Sequence, residues 1–227
     1  MMANKNIFVA CDVSSQKEIL ELLDLIHKDI FGIKIGLQYI TQRSPKDIIE
    51  LSKFNKPIFY DAKFFDIKNT LIESIKSLKE LNIEYATVHL LNGFDALKAA
   101  NDIAQKMNIK LLGVSVLTSF NEKDLLNLGF KDNLKMQIER LIKIAQRVNL
   151  YGVICSPLET EMIKEIAPKL KCFTPGIRIL KESKDDQKRT MTANEAIKAG
   201  SDFLIIGRPI TKGDPKTNIK KIISSID

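Results

Sequence analysis

The sequence predicts a closed (β/α)8 barrel, a TIM barrel, in a single domain spanning 1–227. Three observations lead there. Short apolar runs recur eight times along the 227 residues, with longer segments of helical apolar spacing between them, and no Pro-, Gly- or Ser-rich linker divides the chain. Alternating strand and helix units imply a parallel sheet flanked by helices, and this many units in this length match a closed barrel. A doubly wound open sheet is the competing arrangement. The turn after the first run, Cys11-Asp12-Val13-Ser14, holds no glycine, so the phosphate-binding fingerprint of that fold is missing.

The elements follow in order. Residues 7–11 form the first strand, with Phe8, Ala10 and Asp12 on one face and Ile7, Val9 and Cys11 on the other. The second face packs under helices, so Asp12 closes the inner face at the strand's carboxyl end. Residues 15–26 form a helix that Ser15 caps and that buries Ile19, Leu22, Leu23 and Ile26. The second strand, 31–35, places Lys34 between Ile33 and Ile35, so Lys34 points inward. Residues 57–61 are the third strand, and 69–81 a helix carrying Leu71, Ile75, Leu78 and Leu81. Strands four and five are 85–89 and 110–116. A helix over 133–148 carries Ile138, Leu141, Ile144 and Ala145. Strands six and seven are 151–155 and 171–174. A short helix over 192–199 stops at Gly200, and 203–206 is the eighth strand.

Composition narrows the function classes. Hydrophobic residues make up 44% and charged residues 28%, which supplies a core and argues against disorder. No apolar run approaches the roughly 20 residues of a membrane span, and residues 1–6 lack a secretory signal pattern. A soluble, cytoplasmic protein is expected. The net charge of +7 is spread over dispersed lysines, which fits solvated helix faces better than a nucleic-acid patch. Cys11, Cys155 and Cys172 fit no zinc spacing and read as buried thiols in a reducing compartment. With only His27 and His89 present, no His-based metal site or Ser-His-Asp triad is evident. His89 reads as a hydrogen-bonded core residue.

The chemistry concentrates in Phe59-Tyr60-Asp61-Ala62-Lys63-Phe64-Phe65-Asp66-Ile67-Lys68. Asp61 and Lys63 lie two apart at a strand end, where a period of two puts both on one face. Asp66 follows past the strand. Buried charge is costly unless paired, and Lys34, Asp61, Lys63 and Asp66 alternate in sign, so the set can ionise without net charge. The cluster is either a catalytic constellation or an ion-pair network plugging the barrel top. Two further loops suit an anion. Thr174-Pro175-Gly176-Ile177-Arg178 follows the seventh strand and Gly207-Arg208-Pro209-Ile210-Thr211 the eighth, the positions where barrels often hold phosphate. The glycines allow close backbone approach, the arginines donate, and Pro209 fits the first turn of a short helix. The polar segment 179–189 is either a solvated loop or a lid. Thr118 and Ser119 could reach a ligand or cap the next helix.

Taken together and in this order, these motifs resemble the orotidine 5'-phosphate decarboxylase family nearly end to end. The shared element is Asp61-Ala62-Lys63-Phe64-Phe65-Asp66-Ile67-Lys68-Asn69-Thr70, with Asp12, Lys34, Thr118 and the two arginine loops around it. The resemblance implies conversion of orotidine 5'-phosphate to UMP and CO2, without metal or cofactor. It implies that Lys63 donates a proton to C6, and that Asp61 and Asp66 crowd the substrate carboxylate and hold Lys63. Lys34 joins them in the charge network and, with Asp12, holds ribose hydroxyls. Thr118 lies near the pyrimidine, and Arg178, Gln187, Gly207 and Arg208 grip the phosphate. It further implies a homodimer in which Asp66, Ile67 and Thr70 enter the partner's site, with no nucleic-acid or membrane partner. Phe65 and Lys68 depart from the His and Pro of many bacterial members, so altered packing near the third loop is expected. Metal-dependent sugar-phosphate barrels, such as 3-keto-gulonate 6-phosphate decarboxylase and hexulose phosphate synthase, and a non-catalytic nucleotide-binding barrel are the alternatives.

Overall fold

The computed structural model describes residues 6–12, 15–178 and 190–226. Eight parallel strands close into a barrel: β1 (Ile7–Ala10), β2 (Gly32–Gly36), β3 (Ile58–Phe64), β4 (Tyr85–His89), β5 (Lys110–Val114), β6 (Gly152–Ile154), β7 (Lys171–Thr174) and β10 (Phe203–Ile206). Around the ring they run β1-β10-β7-β6-β5-β4-β3-β2, so β1 pairs with both β2 and β10 and no edge is left. That closure rules out the open doubly wound sheet. Two short strands, β8 (Ile177–Arg178) and β9 (Met191–Thr192), form a separate ladder above the barrel.

The helices on the outside are α1 (Gln16–Ile26), α2 (Leu37–Ile40), α3 (Pro45–Glu50), α4 (Lys68–Ser77), α5 (Phe94–Lys106) and α6 (Glu122–Asn127). They continue with α7 (Leu134–Val148), α8 (Thr160–Ile166), α9 (Ala193–Lys198), α10 (Arg208–Thr211) and α11 (Pro215–Ser224). Ser15 caps α1 by accepting the Glu18 N–H, and Ile19, Leu22, Leu23 and Ile26 are its buried face. Thr192 and Glu195 form a reciprocal capping box on α9, and Gly200, at φ +102°, follows its C-cap. The helix expected over 69–81 ends at Ser77. A 3-10 turn over Leu78–Leu81 completes it, and Asn82 stops it in the left-handed region. None of the helices among the described residues is long and apolar enough to cross a membrane.

Strand alternation divides the core as the pattern requires. Ile7, Val9, Ile33 and Ile35 pack outward against the helices, while Phe8, Phe59, Tyr85, Leu112 and Phe173 fill the barrel. The filling is largely aromatic. Phe8 touches Phe31, Tyr85 and Phe59 edge-on, with ring centroids 5.1, 5.2 and 5.5 Å apart. Gly32 makes room for this, since a Cβ there would lie 2.4 Å from the Phe8 ring. These rings plug the amino-terminal half of the barrel. The inward positions one step further along, Ala10, Lys34 and Asp61, form the floor of what lies above, with Thr87 fully buried beside them.

Candidate active site

At the carboxyl ends of the strands lies a cavity of about 510 Å³. Asp12 just past β1, Lys34 on β2, and Asp61 and Lys63 on β3 form one part of its wall. The segments following β5, β7 and β10 supply Thr118, Arg178, Gly207 and Arg208. Val114, Val116, Ile154 and Ile205 form an apolar wall between the two polar regions. Of the residues singled out in the sequence, these eight are brought together. Gln187 and the rest of segment 179–189 lie outside the described residues.

The charged wall alternates in sign. Lys34, only 7% exposed, places Nζ 3.3 Å from Asp12 Oδ1 and 3.6 Å from Asp61 Oδ2. Lys63 Nζ donates to Asp61 Oδ1 at 2.9 Å. Burial alone would raise Asp61, but Lys34, Lys63 and the hydrogen bonds from Lys63 and Thr87 outweigh it and hold the carboxyl below its ordinary range. Burial alone would lower Lys34, and Asp61 and Asp12 outweigh that too, so its ammonium is held above its ordinary range. Gly36 leaves space for this arrangement. A Cβ there would lie 3.1 Å from Asp12 Oδ1 and 3.2 Å from Lys34 Nζ. Cys11, next to Asp12, is buried on the outward face, and burial pushes its thiol up to about 12 despite Lys34.

Simple alternation along β3 does not bring Asp61 and Lys63 together. Tyr60 pairs with Ala86 and Phe64 with Val88, so β3 advances four residues while β4 advances two. The intervening segment bulges, and Lys63 sits in the left-handed region at φ +50°. A non-glycine residue there costs on the order of 1–3 kcal/mol and persists only where its surroundings fix it. Thr87 on β4 contacts both residues. Its Oγ1 accepts the Lys63 N–H at 2.8 Å and donates to Asp61 Oδ1 at 3.0 Å.

Asp66, Ile67 and Thr70 do not reach the cavity of their own chain. All three are exposed where β3 runs into α4. Within one chain Asp12, in place of Asp66, supplies the second carboxylate of the cluster. The Asp66 segment is nevertheless held firmly. Asn92 Nδ2 donates to Phe64 O and His89 O at 2.9 and 2.8 Å, and Asn92 Oδ1 accepts the Asp66 N–H at 3.0 Å. Phe65 is 62% and Ile67 74% exposed, beside the exposed Leu91. The Phe65 ring lies against the His89 ring at 5.6 Å. Burial, and then the charge on Lys63, hold His89 below its ordinary value, so the imidazole is neutral near pH 7.

In the opposite wall, Arg178 is buried on β8, where its Nη1 donates to Ile177 O at 3.0 Å. Gly176 precedes it at φ +83°, a conformation that glycine adopts without strain. Arg208 opens α10, a helix of one turn, so its guanidinium and not a helix dipole is the cationic element there. Thr87, Asn92, Gly36 and Gln38, which also lines the cavity, were not singled out in the sequence. Strand alternation could have found Thr87, which lies inward between Tyr85 and His89. Among the described residues, no group of three or more His, Cys, Asp or Glu is arranged to hold a metal ion.

A closed parallel barrel with convergent charged side chains in a cavity at its carboxyl ends defines a barrel enzyme. A model of the orotidine 5'-phosphate decarboxylase / HUMPS family matches residues 5–222, and the chain belongs to that family. Among curated relatives it is 38% identical over 222 residues to the orotidine 5'-phosphate decarboxylase of Wolbachia pipientis subsp. Culex pipiens, covering 97% of this chain and 98% of the relative. It is 37% identical to that of Lawsonia intracellularis, covering 97% and 98%. The crystal structure of orotidine 5'-phosphate decarboxylase from Lactobacillus acidophilus superposes with a TM-score of 0.85 at 30% identity, covering 98% of this chain and 99% of the other.

Proposed function

We propose that the protein decarboxylates orotidine 5'-phosphate to UMP in pyrimidine synthesis, and that it does so without metal or cofactor. The observation that carries the reading is the division of one cavity between the Asp12–Lys34–Asp61–Lys63 array and the two arginines, Arg178 and Arg208. In the reaction the bond between C6 and the carboxylate breaks. CO2 leaves, and the electron pair stays on C6 in an orbital that the ring delocalises poorly. Lys63 Nζ stabilises that charge and delivers a proton to C6, then regains one from solvent. Asp61 holds Lys63 at 2.9 Å and places negative charge against the departing carboxylate. Asp12 and Lys34 bind ribose hydroxyls, and Thr118 borders the pyrimidine. Arg178, Gly207 and Arg208, joined by Gln187, bind the phosphate.

The phosphate end is remote from C6, and its binding energy lowers the barrier if it drives water from the charged end. Enzymes reach rate enhancements of about 10¹⁷-fold, about 23 kcal/mol, which neither end would supply alone. The exposed Asp66, Ile67 and Thr70, with Phe65 and Leu91 beside them, fit a homodimer in which this edge of one chain completes the partner's cavity. Buried free thiols at Cys11, Cys155 and Cys172 fit a reducing, cytoplasmic setting.

The test is the ultraviolet absorbance of orotidine 5'-phosphate mixed with the protein in EDTA. Loss of the orotate chromophore with UMP as product is expected. No turnover in EDTA, followed by turnover of a sugar phosphate on adding magnesium, would move the protein to the metal-dependent branch.

A further inference from the structure

The bulge in β3 leaves the Lys63 N–H without a partner in the sheet ladder, and Thr87, fully buried on β4, supplies one. A hydroxyl has one proton to donate and lone pairs to accept with, and Thr87 uses both functions on the two residues that form the charged pair. It accepts from the Lys63 main chain at 2.8 Å and donates to the Asp61 carboxylate at 3.0 Å. Thr87 does not line the cavity. We propose that Thr87 is a positioning residue: its single hydroxyl locks the Lys63 backbone in its left-handed conformation and fixes the Asp61 oxygen that receives Lys63 Nζ.

The geometry makes this hydroxyl hard to replace. Asp61 Oδ1 has two donors, Lys63 Nζ and Thr87 Oγ1, and Oδ2 faces Lys34. Without the hydroxyl the carboxylate can turn about its terminal bond, and the Lys63 N–H is left to find another acceptor. Both changes move Nζ relative to a substrate atom, and a displacement near 1 Å in such a group costs about 10²-fold in rate. The groups facing the pair from the neighbouring elements are Lys34 from β2, Asp12 following β1, and His89 from β4. None of them contacts the Lys63 N–H.

The kinetic arm of the test rests on the decarboxylase reading, and the other arm does not. Thr87→Val keeps the shape and removes the hydroxyl, whereas Thr87→Ser keeps the hydroxyl and removes the methyl. For Thr87→Val, kcat is expected to fall about 10²-fold with KM within a few-fold of the wild-type value. Thr87→Ser is expected to retain most of the turnover. Equal loss in both variants, or a kcat for Thr87→Val within twofold of wild type, would overturn the proposal. The second arm measures hydrogen exchange of the Lys63 amide by NMR. Protection should be lost in Thr87→Val and kept in Thr87→Ser, and unchanged protection in Thr87→Val would overturn the proposal even if the wild-type protein proved inactive on orotidine 5'-phosphate. Should Thr87→Val fail to fold, Thr87→Ala replaces it in both arms with the same expectations.

Discussion

Lys34 and Asp61 meet across the β2–β3 pairing with Nζ 3.6 Å from Oδ2, and each is buried enough that neither could stay charged alone. The pair makes stability depend on pH at both ends. Asp61 is held low, so its contribution is present above the ordinary carboxylate range and is lost as pH falls through its folded value. Lys34 is held high, so its contribution is present below the ordinary lysine range and is lost as pH rises through its folded value. Asp61→Asn should cost roughly 3 kcal/mol at pH 7, the usual range for breaking a buried pair. The deficit should shrink as pH falls below about 4, where the wild type loses the same contribution. Urea unfolding of both proteins at several pH values checks this, and a deficit independent of pH would separate Asp61 from the pair.

Lys63→Ala should leave the fold intact and remove turnover. The side chain is about one-third exposed (34%), so little packing is lost. The loss should exceed about 10³-fold, since the proposed mechanism takes both its proton and its stabilising charge from Lys63. The same variant has a second readout. Burial and Lys63 both hold His89 down, so removing Lys63 should raise the His89 value toward that of a free imidazole. With only His27 and His89 in the chain, their ring protons are readily resolved in an NMR titration. An unmoved His89 would show that the Lys63 charge does not reach it.

Gly36→Ala tests the space around the ion pair. The new methyl would press on the ends of two side chains, Asp12 Oδ1 at 3.1 Å and Lys34 Nζ at 3.2 Å, and on no backbone. Stability should therefore fall by about 1 kcal/mol or less. KM for orotidine 5'-phosphate should rise about tenfold, the worth of one displaced hydrogen bond. Thermal melting and steady-state kinetics on the same preparation separate the two effects.

Arg208→Ala addresses the other end of the cavity. A charged hydrogen bond is worth about 1.5–3 kcal/mol, so UMP should bind roughly 10- to 100-fold more weakly. Uridine, which lacks the phosphate, should bind as it does to the wild type. Calorimetric titration with both ligands decides it, and an equal loss for both would place Arg208 away from the phosphate.

Much of this site was legible in the sequence because strand alternation reports direction. Asp12 and Lys34 each follow outward-facing neighbours, and both point into the barrel as the pattern requires. Alternation has no way of reporting inserted residues, so the bulge at 61–63 was invisible, although the charge pair it creates was expected. Thr87 was missed because threonine is an ordinary strand residue and its second role exists only opposite the bulge. Helix α5 was expected only as one of the helical segments between strands, without bounds. Its buried face is mostly small, with Ala96, Ala100 and Ala104 around Leu97, and alanine gives a weak apolar signal.

Asp66 carries the last prediction. Its own chain gives it no place in the cavity, yet its main chain is pinned through Asn92 to the end of β4, beside the exposed Phe65, Ile67 and Leu91. If this edge completes the partner's site, Lys63→Ala and Asp66→Ala homodimers each lack a different component of every site. In a mixed dimer one site loses both components and the other recovers both, because Lys63 comes from one chain and Asp66 from the other. After unfolding and refolding as a mixture, random pairing should make about one quarter of all sites native, whereas each variant alone stays near zero. The activity of the refolded mixture, beside a sedimentation measurement of its mass, checks this. A mixture no more active than its components, with exchange shown by mass-tagged chains, would confine Asp66 to a role within its own chain.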